Sequence, residues 1–445
     1  MAHDARVNAT SGPVSVQRQA LPWGHLVTLS IYWLGINTIW AGFNTIVLPT
    51  RLLEIAPAQY GLLTAVTFAV GVVAPILIQP TVGVISDYTI TRWGRRKPYI
   101  LIGTVLDLVF LIALASAQSY LAIVVLYFML QLSSNFAQGP FQGYVPDLVP
   151  ERQVGTASGL MGAMIVVGQI VGVGIATAGV SLDSLGLATV ALGLTEMVTM
   201  IVLVLTVREG SAGPRRTTSW LAVARSAWGT DILREKSVLW LLAVRALFLG
   251  AFAIITLALD YFVGVHGMTD DEASGTIFLG TIIVGVATAL AAVPGGRLSD
   301  RVGRKPMIYG AAAVAAVGVA GVALAPAPWV AIVSYIPFGI GVGVFLSVDW
   351  ALMTDVIPKH TSGRYMGILN AGTAVAAPLF LVVAGPTRDI VNGLAGSDVG
   401  PRAAMGVAIV YLLLAAVALS RVDPHRRGAP AELAPPAVDP AATAA

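Results

Sequence analysis

Two segments of the chain repeat one another at a fixed distance, each set between two long apolar runs. Residues 83–98 read Gly-Val-Ile-Ser-Asp-Tyr-Thr-Ile-Thr-Arg-Trp-Gly-Arg-Arg-Lys-Pro, and residues 296–306 read Gly-Arg-Leu-Ser-Asp-Arg-Val-Gly-Arg-Lys-Pro. Arg92, Gly94 and Arg95 recur as Arg301, Gly303 and Arg304, a constant offset of 209. Asp147-Leu148-Val149-Pro150 with Gly155 and Gly159 recurs as Asp355-Val356-Ile357-Pro358 with Gly363 and Gly367, an offset of 208. A unit of about 210 residues is therefore duplicated, and the fold must consist of two related halves.

The apolar runs decide what those halves are. Hydrophobic residues make up 56% of the 445 and charged residues only 11%, where a soluble domain carries about 25% charged residues. Twelve segments are long and apolar enough to cross the ~30 Å hydrocarbon core of a bilayer: 23–49, 58–86, 98–116, 120–143, 155–180, 184–207, 237–264, 274–296, 306–325, 328–352, 363–385 and 402–421. Backbone polar groups in lipid must be satisfied within the segment, so these spans are expected to be helices. The expected fold is an all-α membrane protein of twelve transmembrane helices in two pseudo-symmetric six-helix bundles, 23–207 and 237–421. A polar tail (1–22), a linker (208–236) and a Pro/Ala-rich tail (422–445) complete the chain; the last cannot build a core and is expected to be disordered. No short apolar run with a cleavage site marks a removable signal peptide in the first 22 residues.

Lys and Arg orient the bundle. With both termini cytoplasmic, 22 of the 26 Lys and Arg residues face the cytoplasm. Arg51, Arg388 and Arg402 then lie outside and Arg245 within a span. The opposite topology inverts this bias, so the positive-inside rule selects the first, in a cytoplasmic membrane. Within the linker, Trp220, Ala224 and Trp228 recur at helical spacing, which suggests a short interfacial helix.

The repeated segments are candidate conformational hinges. Asp87, Arg92, Gly94, Arg95 and Arg96 form the first, and Asp300, Arg301, Gly303 and Arg304 the second. Each glycine lets the chain turn tightly. Each carboxylate can bond neighbouring arginines or meet the positive N-terminus of an adjoining helix. Such contacts can form in one conformation and break in another.

The pattern resembles the major facilitator superfamily across residues 23–421, the second hinge matching its signature Gly-x-Leu-Ser-Asp-Arg-x-Gly-Arg-Lys. The first hinge has four extra residues between Asp87 and Gly94. That longer form is similar to proton–sucrose symporters and to glycoside–pentoside–hexuronide cation symporters. Gln138-Gly139-Pro140 followed by Asp147-Leu148 is also similar to the fourth helix of the sucrose group. That group has an arginine where this chain has Gln142.

The resemblance implies that spans 1, 4, 7 and 10 line a central cavity. Spacing supports this separately. Gln131, Asn135, Gln138 and Gln142 in span 4, and Trp33, Asn37, Trp40 and Asn44 in span 1, each follow i, i+4, i+7, i+11. Each set lies within an arc of about 60°. Amides facing lipid are costly, so these must face protein or water. Interhelical hydrogen bonding would satisfy them too, but tryptophans beside amides suit an uncharged polar ligand such as a sugar.

Five ionisable residues fall inside spans: Asp107, Glu196, Arg245, Asp260 and Asp349. Such groups are expensive in a membrane and mark functional sites by default. Asp349 is the first candidate for proton coupling, with Arg245 as partner, because the resemblance places both on cavity spans. Asp107, about nine residues into its span, is the second. Glu196 reads as structural, and Asp260 as a wet residue near the outer end.

Enzymatic readings find no support. There is no Gly-x-x-x-x-Gly-Lys-Ser/Thr phosphate loop, His-Glu-x-x-His or Gly-x-Ser-x-Gly. The chain has no cysteine, and its five histidines form no ligand cluster, so no cofactor or metal is expected. The sequence reads as a secondary active transporter working by alternating access. Its expected partners are the lipid bilayer, a small neutral polar solute and protons; nucleic acid is not among them, and a monomer is expected. Drug or metabolite efflux by proton antiport is the nearest alternative, although span 5 lacks the Gly-Pro motif of such antiporters. A non-transporting sensor or assembly protein of the same fold is the more distant one.

Overall fold

The computed structural model describes residues 20–150, 153–209, 219, 236–356, 362–396 and 398–423. The N-terminal tail to residue 19, the linker helix expected around Trp220–Trp228, and the C-terminal tail from residue 424 lie outside the described residues. Among the described residues, twelve helices are long and apolar enough to cross a membrane. They are α1 (Trp23–Ile55), α2 (Pro57–Asp87), α3 (Lys97–Ala115), α4 (Tyr120–Gln142), α5 (Val154–Ser181), α6 (Leu185–Thr206), α7 (Lys236–His266), α8 (Asp270–Val302), α9 (Arg304–Ala323), α10 (Pro328–Val356), α11 (Ser362–Ala395) and α12 (Val399–Ser420). The protein is an all-helical, multi-pass membrane protein.

Local chemistry explains several boundaries. A capping box starts α8: Thr269 Oγ1 accepts from the Glu272 N–H, and the Glu272 carboxylate accepts from the Thr269 N–H. Gly94 precedes α3 with φ of 112°, and Gly303 precedes α9 with φ of 99°. Both conformations strongly favour glycine, so the tight turns expected at the two repeats are present. Two helices depart from regular winding at facing levels. α1 widens over Phe43–Val47, just before Pro49, which has no N–H to donate. α7 tightens over Ala253–Leu257, and the two irregular turns touch.

The helix ends correct three sequence expectations. α1 runs to Ile55 rather than residue 49, and α8 continues past residue 296 to Val302, with the second hinge acid, Asp300, at its inner end. α11 extends to Ala395 rather than 385, which carries Arg388 into the protein. Arg388 is buried in a helix rather than carried on a loop, and Asp260 is buried, not wet. The cause is pairing: the Arg388 guanidinium grips the Asp260 carboxylate with two N–H donors, Nε reaching Oδ2 at 2.9 Å. The polar end of α11 therefore faces protein and escapes any search for apolar runs.

Helices α1–α6 pack together, as do α7–α12. Among the described residues, hydrogen bonds between the halves gather at the end away from the hinges. The Asp389 carboxylate accepts from the Gly61 and Leu62 N–H groups at 3.1 and 2.7 Å, capping the start of α2 from the other half. Arg388 donates to the Pro57 carbonyl at 3.1 Å, and Tyr60 to the Thr256 carbonyl at 3.1 Å. Thr177 donates to the Ser274 carbonyl at 3.2 Å, and Ser181 to Asp271. A Cβ on Gly61 would sit 2.2 Å from the Gly385 carbonyl oxygen, so α2 and α11 approach through bare backbone.

Candidate functional site

The first hinge is a charge network built around one buried arginine. Arg96 donates to Asp87 at 2.8 Å and to the Pro140 carbonyl at 2.7 Å, and pairs with Asp147 at 2.6 Å. Arg95 also bonds Asp147. The guanidinium fits because residue 143 is glycine: a Cβ there would lie 1.2 Å from Nη1. Glu209, just beyond α6, accepts from the N–H groups of Arg96 and Lys97 at 2.8 and 3.0 Å and from the Tyr144 hydroxyl. A carboxylate at the N-terminus of α3 was expected, but it is Glu209 and not Asp87 that supplies it. Burial pushes the Tyr144 phenol up, so it stays protonated as a donor to Glu209. Arg92 is exposed.

At the second hinge, Asp300 in the last turn of α8 pairs with Arg304 at the start of α9 at 2.6 Å, and Arg304 also bonds Ser299. Asp300 and Arg301 are exposed. The side chain of Asp355, the counterpart of Asp147, lies outside the described residues. One feature recurs in both halves. Lys97 Nζ reaches the Val204 carbonyl at 2.7 Å, and Lys305 Nζ the Ser420 carbonyl at 3.3 Å, each placing a cation at a helix C-terminus.

The amide stripes of α1 and α4 meet through aromatic side chains. Trp33 packs on Phe141 with centroids 5.5 Å apart, and Trp40 on Tyr127 at 6.2 Å. Tyr127 also takes hydrogen bonds from Gln131, at 3.0 Å, and from Asn44. Asn135 donates to the Gln131 carbonyl and side chain at 2.8 and 3.2 Å. Asn44, Tyr127, Gln131 and Asn135 thus form one neutral network, in which the buried Asn44 Oδ1 still lacks a donor. Asn37 turns back to the Trp33 carbonyl at 2.8 Å, and Gln138 bonds Ser134 at 3.2 Å. Gln142 stands apart, exposed at the end of α4. The opposite face of α1 is covered: Thr38 donates to the Gly168 carbonyl of α5, and Gly35 lies against Glu196 and Thr199 of α6. Trp33, Asn37, Trp40 and Asn44 are the partly accessible side. The sequence reading missed Tyr127, although it lies four residues before Gln131 on the same stripe.

The C-terminal half offers different chemistry. Arg245 of α7 pairs with Asp349 of α10, as anticipated, and donates to Thr373 of α11 at 3.0 Å. Both charges are sealed, 5% and 2% exposed, yet among the described residues Arg245 Nε and Asp349 Oδ1 have no hydrogen-bond partner. Around them α7 and α10 present rings: Phe248 stacks on Phe345 at 3.7 Å, and Phe252 on Phe338 at 5.6 Å. Asp107 does not join this pair. It lies in the other half, beside Glu196. Among the described residues no group of three or more His, Cys, Asp or Glu side chains is arranged to hold a metal ion.

A family model described as Major Facilitator Superfamily matches residues 26–381 and 283–442. The chain is 26% identical over 186 residues to a sucrose transport protein of Oryza sativa subsp. japonica, a match covering 37% of this chain and 32% of that protein's length. It is 35% identical over 99 residues to a gentisate transporter of Corynebacterium glutamicum, covering 21% of this chain and 22% of the relative. The chain thus spans a third or less of the length of these curated relatives. The crystal structure of the nucleoside transporter NupG superposes with a TM-score of 0.72 at 11% identity, covering 89% of this chain and 99% of the other. Duplicated hinges, twelve membrane-length helices among the described residues and the matching model converge: the chain belongs to the Major Facilitator Superfamily.

Proposed function

We propose that the chain carries a neutral polar solute, a sugar, polyol or glycoside, across the cytoplasmic membrane by proton-coupled alternating access, as a monomer. The observation that carries this reading is the amide and tryptophan face of α1 and α4. It holds eight polar or aromatic candidates, none of them charged: Trp33, Asn37, Trp40, Asn44, Gln131, Asn135, Gln138 and Gln142. A charged solute would call for a counter-charge there. Hydroxyl groups would instead exchange hydrogen bonds with amides and stack on tryptophan. The sucrose transport protein among the relatives supports the same class.

The positive-inside bias supports a cytoplasmic hinge end and cytoplasmic termini. The halves are then tied at the outer end by Asp389, Arg388 and Tyr60, and the solute face opens inward. Asp87, Arg96 and Asp300 would change partners as the halves rock. Coupling is assigned to the buried acids, Asp349 with Arg245 and Asp107. The open oxygen of Asp349 gives an arriving proton or hydroxyl a place to bind as the pair loosens.

The test is the melting temperature of purified protein with sucrose, myo-inositol or gentisate. A ligand that binds only the folded state adds about 2.7 kcal/mol at a hundred times its Kd. Stabilisation by sucrose or myo-inositol supports the reading. Stabilisation by gentisate alone overturns the neutral-solute assignment.

A further inference from the structure

Two carboxyls lie inside the N-terminal half with no cation beside them among the described residues. Asp107 of α3 and Glu196 of α6 are both 0% exposed and neighbour one another. Hydroxyls face them from each neighbouring helix. Tyr32 of α1 donates to Glu196 Oε1 at 3.1 Å and shares a 2.6 Å bond with Thr104 of α3. Ser133 of α4 donates to Asp107 Oδ1. Thr199 of α6 turns to the Glu196 carbonyl at 2.8 Å. Among the described residues no ion pair reaches either acid, and Asp107 Oδ2 and Glu196 Oε2 receive no bond from any other group.

Two neighbouring carboxylates without a counter-charge cannot both stay ionised in a buried interior. Something positive must sit between them, and one proton held in an O–H···O bond would serve both. We propose that Asp107 and Glu196 form a proton-binding dyad that holds one shared proton and exchanges it during the transport cycle. Loading moves a proton from hydronium onto a carboxylate oxygen, forming one O–H bond and reducing two negative charges to one. Unloading returns that proton to water once a change of conformation admits water to the site, and both charges are restored only there.

The dyad is linked to the solute face through α1. Tyr32 touches the dyad, and its neighbour Trp33 lies on the amide stripe. A Cβ on Gly35 would lie 2.1 Å from Thr199 Oγ1, so α1 has no slack against α6 at this level. Extra charge on the dyad would press on the helix that carries Trp33 and Asn37. This link to transport rests on the proposed reading of α1 and α4; the dyad itself does not.

Infrared spectroscopy of the purified protein at neutral pH tests the dyad without any solute. A protonated carboxyl gives a C=O stretching band that a carboxylate lacks. The proposal expects this band in the wild type and in Asp349→Asn, and expects Asp107→Asn and Glu196→Gln each to remove or shift it. Should either variant fail to insert, raising the pH of the wild type must still bleach the band. A wild type without the band at neutral pH, or a band indifferent to both substitutions, overturns the dyad. A band that vanishes when sodium replaces potassium at fixed pH marks a metal-cation site and also overturns it. Failure of sucrose and myo-inositol to bind would sink the solute reading and leave this result standing.

Discussion

The two halves bury acids and neutralise them in opposite ways. In the C-terminal half each buried acid has an arginine: Asp349 has Arg245, and Asp260 has Arg388. In the N-terminal half, among the described residues, Asp107 and Glu196 have each other and surrounding hydroxyls but no cation. An arginine stays charged at every physiological pH. Its pairs would therefore open only with movement, with a ligand, or as a proton reaches Asp349 and loosens Arg245. A dyad with no cation can be neutralised only by a proton, so it would respond to pH. The difference suggests a division of labour: the N-terminal half takes up a proton with no partner to displace, while in the C-terminal half a proton must break an ion pair.

The sharpest way to break this comparison is to remove one member of each pair. Arg388→Ala or Arg245→Ala leaves a buried carboxylate alone and should cost about 3–5 kcal/mol in detergent unfolding. Asp107→Asn keeps the shape of a protonated acid and should cost no more than about 1–1.5 kcal/mol, the scale of one hydrogen bond. Equal losses would mean that the two halves treat their acids alike.

A second expectation concerns the solute. Asn37→Ala, Gln131→Ala and Gln138→Ala should each weaken binding of the stabilising solute by about 1–3 kcal/mol, the cost of an unsatisfied buried partner. Calorimetric titration measures this. Three unchanged affinities would move the solute away from α1 and α4 and leave the N-terminal half with protons alone.

The outer tie should respond more gently. Asp389→Asn removes the charge that caps α2 and should weaken closure by about 0.3–1 kcal/mol. The distance between spin labels on Leu62 and Ile390 should broaden, and an unchanged distribution would count against a closing role for Asp389. The smallest effect is expected at the second hinge. Asp300 is 63% exposed in its pair with Arg304, and such pairs contribute about 0–1 kcal/mol. Asp300→Asn should therefore disturb melting less than Asp87→Asn, whose carboxylate meets the buried Arg96.

Much of this architecture was legible in the residues. Lipid demands about 20 apolar residues per helix, and duplication repeats its turn glycines, so the spans and the positive φ values at Gly94 and Gly303 could be read directly. The amide stripes followed from helical spacing. Partners in distant spans could not be read that way. Asp260 and Arg388 stand 128 positions apart, and no periodicity joins them. Asp107 and Glu196 were nominated separately, one for protons and one for structure. Depth was the missed clue: each lies ten residues from the hinge-side end of its helix, Lys97 for one and Thr206 for the other, so both sit about 15 Å in. Glu209 was hidden for another reason, since a lone acid after a span does not announce the helix it caps.

The central claim is that a proton on the N-terminal dyad drives solute movement. Its most direct test is accumulation in proteoliposomes with an alkaline interior, using whichever of sucrose or myo-inositol raises the melting temperature most. The wild type should concentrate the solute and lose that ability with a protonophore. Asp107→Asn should exchange labelled for unlabelled solute yet never concentrate it. Undiminished accumulation by Asp107→Asn, or by the wild type with the protonophore present, would contradict the account.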